Sequence, residues 1–145
     1  MLKPRTTALL IAGAVLNALL GCGAKSPTVA VHGKVTFAGG LCPVAGHISF
    51  SPLEVPSGMP RRPGSAHFDR DGEFIVTSFE PGDGLLPGRY EVLISCIDGM
   101  PDVSQPNAFR DADFVPADYK PAQLFIEAGK AVVEVGYDVP LKKKR

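Results

Sequence analysis

The chain has 145 residues, its 15 lysines and arginines matched by 15 aspartates and glutamates. That balance, with no basic face and no interleaving of basic and aromatic residues, argues against a nucleic-acid partner. The 16 glycines, 14 prolines and absence of tryptophan, without long runs of helix formers, give the profile of short strands and many turns.

In chain order, the first element is an export signal. Lys3 and Arg5 make a basic start, and residues 8–20 are almost continuously apolar, broken only by Asn17. A helix needs about 20 apolar residues to cross the ~30 Å hydrocarbon core, so this run is too short to span. Its length fits the apolar region of a signal peptide. No other stretch is long and apolar enough to cross, so the remainder is expected to be soluble. The expected division is residues 1–21 as signal, 22–28 as a small, polar tether, 29–139 as one folded domain and 140–145 as a basic tail.

From Val29 the sequence alternates. Val29, Val31, Val35 and Phe37 share one parity, with His32, Lys34 and Thr36 on the other, which predicts a half-buried strand. Gly39-Gly40 turns the chain. Val44, Ile48 and Phe50 repeat the pattern, with His47 and Ser49 opposite. Residues 51–63 are rich in proline and predict an exposed loop, since proline cannot donate to a ladder. A third strand over 64–69 carries Ala66 and Phe68, and Asp71-Gly72 signals a tight hairpin into Phe74 and Val76. After a turn bounded by Pro81 and Gly88, Tyr90, Val92 and Ile94 form a strand of aromatic and β-branched residues. Residues 98–119 make the longest irregular stretch, a length that points to function or mobility. Leu124 and Ile126 predict a last hairpin, turned at Ala128-Gly129-Lys130 and closed by Val133, Val135, Tyr137 and Val139. The expectation is an all-β, seven-stranded antiparallel β-sandwich.

Two resemblances add to this. Leu19-Leu20-Gly21-Cys22 resembles the bacterial lipobox. It implies a diacylglyceryl thioether on Cys22, cleavage before it and acylation of the new amine, with ~0.8 kcal/mol of membrane affinity for each buried CH₂. An ordinary cleavage site with a freely secreted product is the alternative. Gly23, where an aspartate would favour inner-membrane retention in some bacteria, implies an outer-membrane anchor facing the periplasm. Further on, Val31-His32-Gly33-Lys34-Val35, Pro43-Val44-Ala45-Gly46, Phe68-Asp69-Arg70-Asp71-Gly72-Glu73-Phe74 and Pro87-Gly88-Arg89-Tyr90-Glu91-Val92 are similar to carboxypeptidase-regulatory-like domains. That resemblance spans most of 29–139 and implies a prealbumin-like sandwich. The chain departs from the pattern at Gly40-Leu41-Cys42-Pro43, which leaves Cys42 without a family precedent.

With Cys22 given to lipid, Cys42 and Cys96 remain, open between a disulfide in an oxidising compartment and two thiols. Asp69 and Asp71 lack the downstream ligands of a calcium loop and read as a turn. Asp98, Asp102, Asp111, Asp113 and Asp118 make the long loop acidic without a recognisable ligand spacing. His32, His47 and His67 fall at the outward parity of three strands. They would converge on a metal only if those strands were neighbours, and otherwise are surface residues. Ser49, Ser51, Ser65 and Ser78 lack a Gly-x-Ser-x-Gly elbow. No catalytic residue, metal ligand or cofactor is therefore assigned. The expected function is that of a non-enzymatic, membrane-anchored binding or envelope-structural module. Its partners would be envelope proteins or polysaccharide, met through the loops 51–63 and 98–119. A periplasmic divalent-metal carrier and a hydrolase assembled only in three dimensions are the rivals.

Overall fold

The computed structural model describes residues 27–142. Cys22, the signal segment 1–21 and the last three residues of the basic tail lie outside the described residues. Strands β1 (Ala30–Phe37), β2 (Gly46–Glu54), β3 (Gly64–Phe68), β4 (Glu73–Ile75), β5 (Gly88–Ser95), β6 (Leu124–Ile126) and β7 (Val132–Val139) are joined by turns and one short helix, α1 (Ala108–Ala112). They form two sheets, ordered β4-β1-β7 and β3-β2-β5-β6. Strand side chains alternate with period two, and the apolar parity read from the sequence is the one that faces inward. Val31, Val35 and Phe37 of β1 meet Ile48 and Phe50 of β2, Tyr90, Val92 and Ile94 of β5, and Tyr137 and Val139 of β7 in one core. Each such side chain contributes roughly 1.5–3 kcal/mol by leaving water. The fold is an all-β sandwich. Fully buried Tyr90 keeps its hydroxyl satisfied by donating to Leu86 O at 2.9 Å, four residues upstream, in the manner of a tyrosine corner.

Three expectations need correction. The sandwich is not wholly antiparallel: β1 and β7 run parallel, in register from Ala30↔Val132 to Phe37↔Val139. Nor do β6 and β7 form a hairpin. β6 pairs with β5 from Gly88↔Ile126 to Tyr90↔Leu124, and the chain then crosses to the other sheet. There all eight residues of β7 find partners on β1. Lastly, the segment expected to leave the sheet at Ser51 stays in it to Glu54, with a register shift between Pro52 and Glu54. A bulge is where a strand accommodates a residue without an N–H.

Two turns also link sheets rather than paired strands. At Asp71-Gly72 the chain reverses tightly, Gly72 N donating to Asp69 O at 3.0 Å. β3 and β4 then diverge into different sheets, held by one bridge between Ser65 and Thr77. The Gly39-Gly40 turn likewise passes from β1 in one sheet to β2 in the other.

The sandwich therefore has two distinct poles. At the first, the chain enters β1, with Val29 and Leu85 exchanging backbone hydrogen bonds of 2.7 and 2.9 Å. The start of β7, the end of β2 and the starts of β3 and β5 lie at this pole, so loop 55–63 and the turns 77–87 and 127–131 gather there. At the second pole lie the turns 38–45 and 69–72, tied by Cys42 N donating to Arg70 O at 2.9 Å, and the departure of the chain from β5.

Candidate functional site

The long segment after β5 is the main irregular feature of the second pole, and it is anchored. Asp113 Oδ1 accepts from Cys96 N and from Val115 N, both at 2.9 Å, while Phe114 N returns a bond to Cys96 O. Val115 is thereby drawn into the core, with Tyr119 packed against it, and residues 113–121 lie along the side of β5. The stretch expected to be irregular throughout contains helix α1, whose end is met by Lys142. Its ammonium donates to the carbonyls of Arg110, Asp111 and Asp113 at 3.0–3.1 Å. Arg110, Asp111 and Lys142 line a hollow of about 650 Å³ with Pro116, Asp118 and Leu141. Beyond the anchors the segment presents Met100, Val103 and Phe109 to solvent, at 93%, 77% and 53% exposure.

Of the aspartates of this segment, Asp111 and Asp118 border the same hollow. Asp102 accepts from the backbone and hydroxyl of Ser104, bonds that hold its carboxyl below the usual range. Asp113 is occupied by the amides just described, and Asp118 faces the hollow. Asp69 accepts from Asp71 N at 3.0 Å, a bond within the turn. Among the described residues, no group of three or more His, Cys, Asp or Glu side chains is arranged to hold a metal ion.

The histidines are partly brought together. β2 and β3 are neighbours, and His47 stands directly opposite His67. Their ring centres are 4.9 Å apart and the planes are tilted by 60°. Burial first, and then the facing His67, lowers the proton affinity of His47 below its ordinary value. His32 belongs to the other sheet and pairs with Glu134 at 3.6 Å.

Cys42 and Cys96 are both buried and held as free thiols. Each donates to a backbone carbonyl at 3.3 Å, Cys42 to Val35 O and Cys96 to Val44 O. Burial, with Cys96 and Asp69 nearby, pushes the Cys42 thiol up to about 11, and burial also raises Cys96. Of the serines, Ser78 is buried with its hydroxyl donated to Gly84 O at 2.6 Å, while Ser49 and Ser65 face each other on the outer sheet surface.

Several structuring residues escape a reading by motif. Asp113 and Lys142 act across 17 to 32 positions of sequence, and Asp138 accepts from Thr36 Oγ1 and Gly39 N across 102 and 99. Asp83 is closer to legible, since it precedes a glycine and accepts from Ser78 N and Phe79 N within five positions. Comparison with protein-family models, with curated proteins and with solved structures returned no significant match.

Proposed function

We propose that this chain is an exported lipoprotein, anchored through Cys22, whose prealbumin-like sandwich serves as a non-enzymatic binding or envelope-structural module. The observation that carries this reading is the polarity of the sandwich. The tether leads into β1 at one pole, and the exposed apolar residues Met100, Val103 and Phe109 belong to the segment leaving β5 at the other. Residues 22–28 extend about 25 Å at most, so an anchor on Cys22 would hold the first pole against the bilayer. Of the two loops offered from the sequence, 55–63 would then face the membrane and 98–119 would face an envelope partner. Binding residues concentrate on loops held by a rigid scaffold, and Asp113 and Lys142 supply that hold.

Replacement Cys22→Ser tests the anchor. The expected result is a chain that keeps residues 1–21 and takes up no labelled acyl chain. A variant that is still processed and still membrane-bound would overturn it. A divalent-metal carrier is the second reading, favoured by the contact between His47 and His67.

A further inference from the structure

We propose that His47 and His67 form a chelating site for a borderline divalent transition ion, Cu²⁺ foremost, on the outer surface of the four-stranded sheet. The site deepens the metal-carrier reading and is independent of the lipid anchor.

The geometry comes from strand pairing. In an antiparallel ladder, side chains directly opposite each other on one face stand about 4.5–5.5 Å apart at Cβ, and His47 and His67 are such a pair. A metal–nitrogen bond is ~2.0–2.1 Å long. With the ring centre about 1.1 Å beyond the nitrogen, two imidazoles sharing one ion have centres roughly 4.5 Å apart at a right angle and roughly 5.2 Å apart at the tetrahedral angle. The observed 4.9 Å lies between these two values. Side-chain rotation alone then suffices to bring the two nitrogens to one ion, with no movement of the strands.

The surroundings select the ligand class. On one side the pair faces a hollow bounded by Ala45, Gly46, Ser95 and Ile97, which carry no carboxylate, and on the other His67 borders a second hollow with His32, Glu73 and Glu134. Hard cations such as Ca²⁺ and Mg²⁺ need several oxygen ligands, whereas imidazole suits copper, nickel and zinc, with Cu²⁺ bound most tightly. Two protein ligands leave coordination positions for water, unlike the four of a structural zinc site. The site is therefore suited to exchanging its ion, and less to holding the fold together. His32 lies on the other sheet, across the second hollow from His67, and is engaged by Glu134 at 3.6 Å.

The test uses the untagged full-length protein in detergent at about pH 7.5, where imidazole is neutral. CuSO₄ and ZnCl₂ are titrated separately by calorimetry, and the zinc titration is followed through the histidine ring NMR signals. One ion per chain should bind, moving the signals of His47 and His67 together and leaving those of His32 in place. Removing either ligand converts chelation to single-point binding, so His67→Ala and His47→Ala should each weaken affinity by about a hundredfold. His32→Ala should leave it unchanged. His67 is exposed on an edge strand, so its truncation should leave the thermal unfolding of the metal-free protein unaltered. No saturable binding below about 1 mM (a free energy of only about −4 kcal/mol) would overturn both the site and the carrier reading. Saturable binding that survives His67→Ala would overturn the site alone.

Discussion

At the scale of single residues, the left-handed glycines differ in what surrounds them, and that difference can be measured. Gly72 has φ +78°, and a Cβ there would lie 1.9 Å from Val35 O, a backbone atom. Gly129 has φ +83° with nothing within 4 Å. Gly129→Ala should cost only the left-handed penalty, about 1–2 kcal/mol. Gly72→Ala must also displace β1 and should cost about 3 kcal/mol or more, read from urea unfolding. The pattern Asp71-Gly72 announced a turn, but the difference between these two glycines depends on Val35, 37 positions away in sequence, which no local pattern carries. His47 supplies a pH dependence. Burial and the facing His67 on β3 lower its folded-state proton affinity below the ordinary 6.5, and its partner on β5, Ser95, is uncharged. The unfolded chain therefore takes up this proton more readily. The associated stability is complete above about pH 6.5 and is lost as pH falls through the lower folded-state value. Between pH 7 and about pH 5, the urea midpoint of the natural protein should fall more steeply than that of His47→Gln.

At the scale of elements, the long segment after β5 is held at two points of unequal weight. Asp113 closes backbone amides at the margin of the core, and bonds to a charged acceptor are worth about 1.5–3 kcal/mol each. Asp113→Ala should lower global stability by about 2 kcal/mol. Lys142 reaches only exposed carbonyls around the end of α1. Lys142→Met should shift the urea midpoint by less than about 0.5 kcal/mol, yet speed amide hydrogen exchange through residues 98–113. Similar exchange in the variant and the natural protein would show that Lys142 is not a clamp. The elements also show where legibility stops. Period-two alternation fixes which face of a strand is buried, and it did so for β1, β2, β5 and β7. It is silent on which strand lies alongside. The turn at Ala128-Gly129-Lys130 reads as a hairpin, but in the observed topology it carries the chain from one sheet to the other, an outcome set by the strands on which β6 and β7 find partners. The histidine pair was hidden for the same reason. Outward parity was visible for all three histidines, but their adjacency was a matter of sheet order.

At the scale of the whole molecule, the two poles make a prediction about orientation. In vesicles carrying the protein with the proposed lipid on Cys22, nitroxide labels attached through Ser57→Cys and Ser104→Cys should report different depths. Strands of eight residues span about 26 Å, so the label at 57 should lie near the headgroups and the label at 104 well clear of them. Equal accessibility to a water-soluble relaxation agent would remove the proposed orientation while leaving the fold untouched.

The parallel pairing of β1 with β7 has one more consequence, and it is mechanical. The described chain enters β1 at one pole and leaves β7 at the other, with the two strands hydrogen-bonded side by side over eight positions. Tension applied between these two ends acts along the strands, so it loads the whole ladder in shear instead of peeling it open one bond at a time. A sandwich connected in this way resists being pulled out along its length, a property suited to a body moored at one end and loaded at the other.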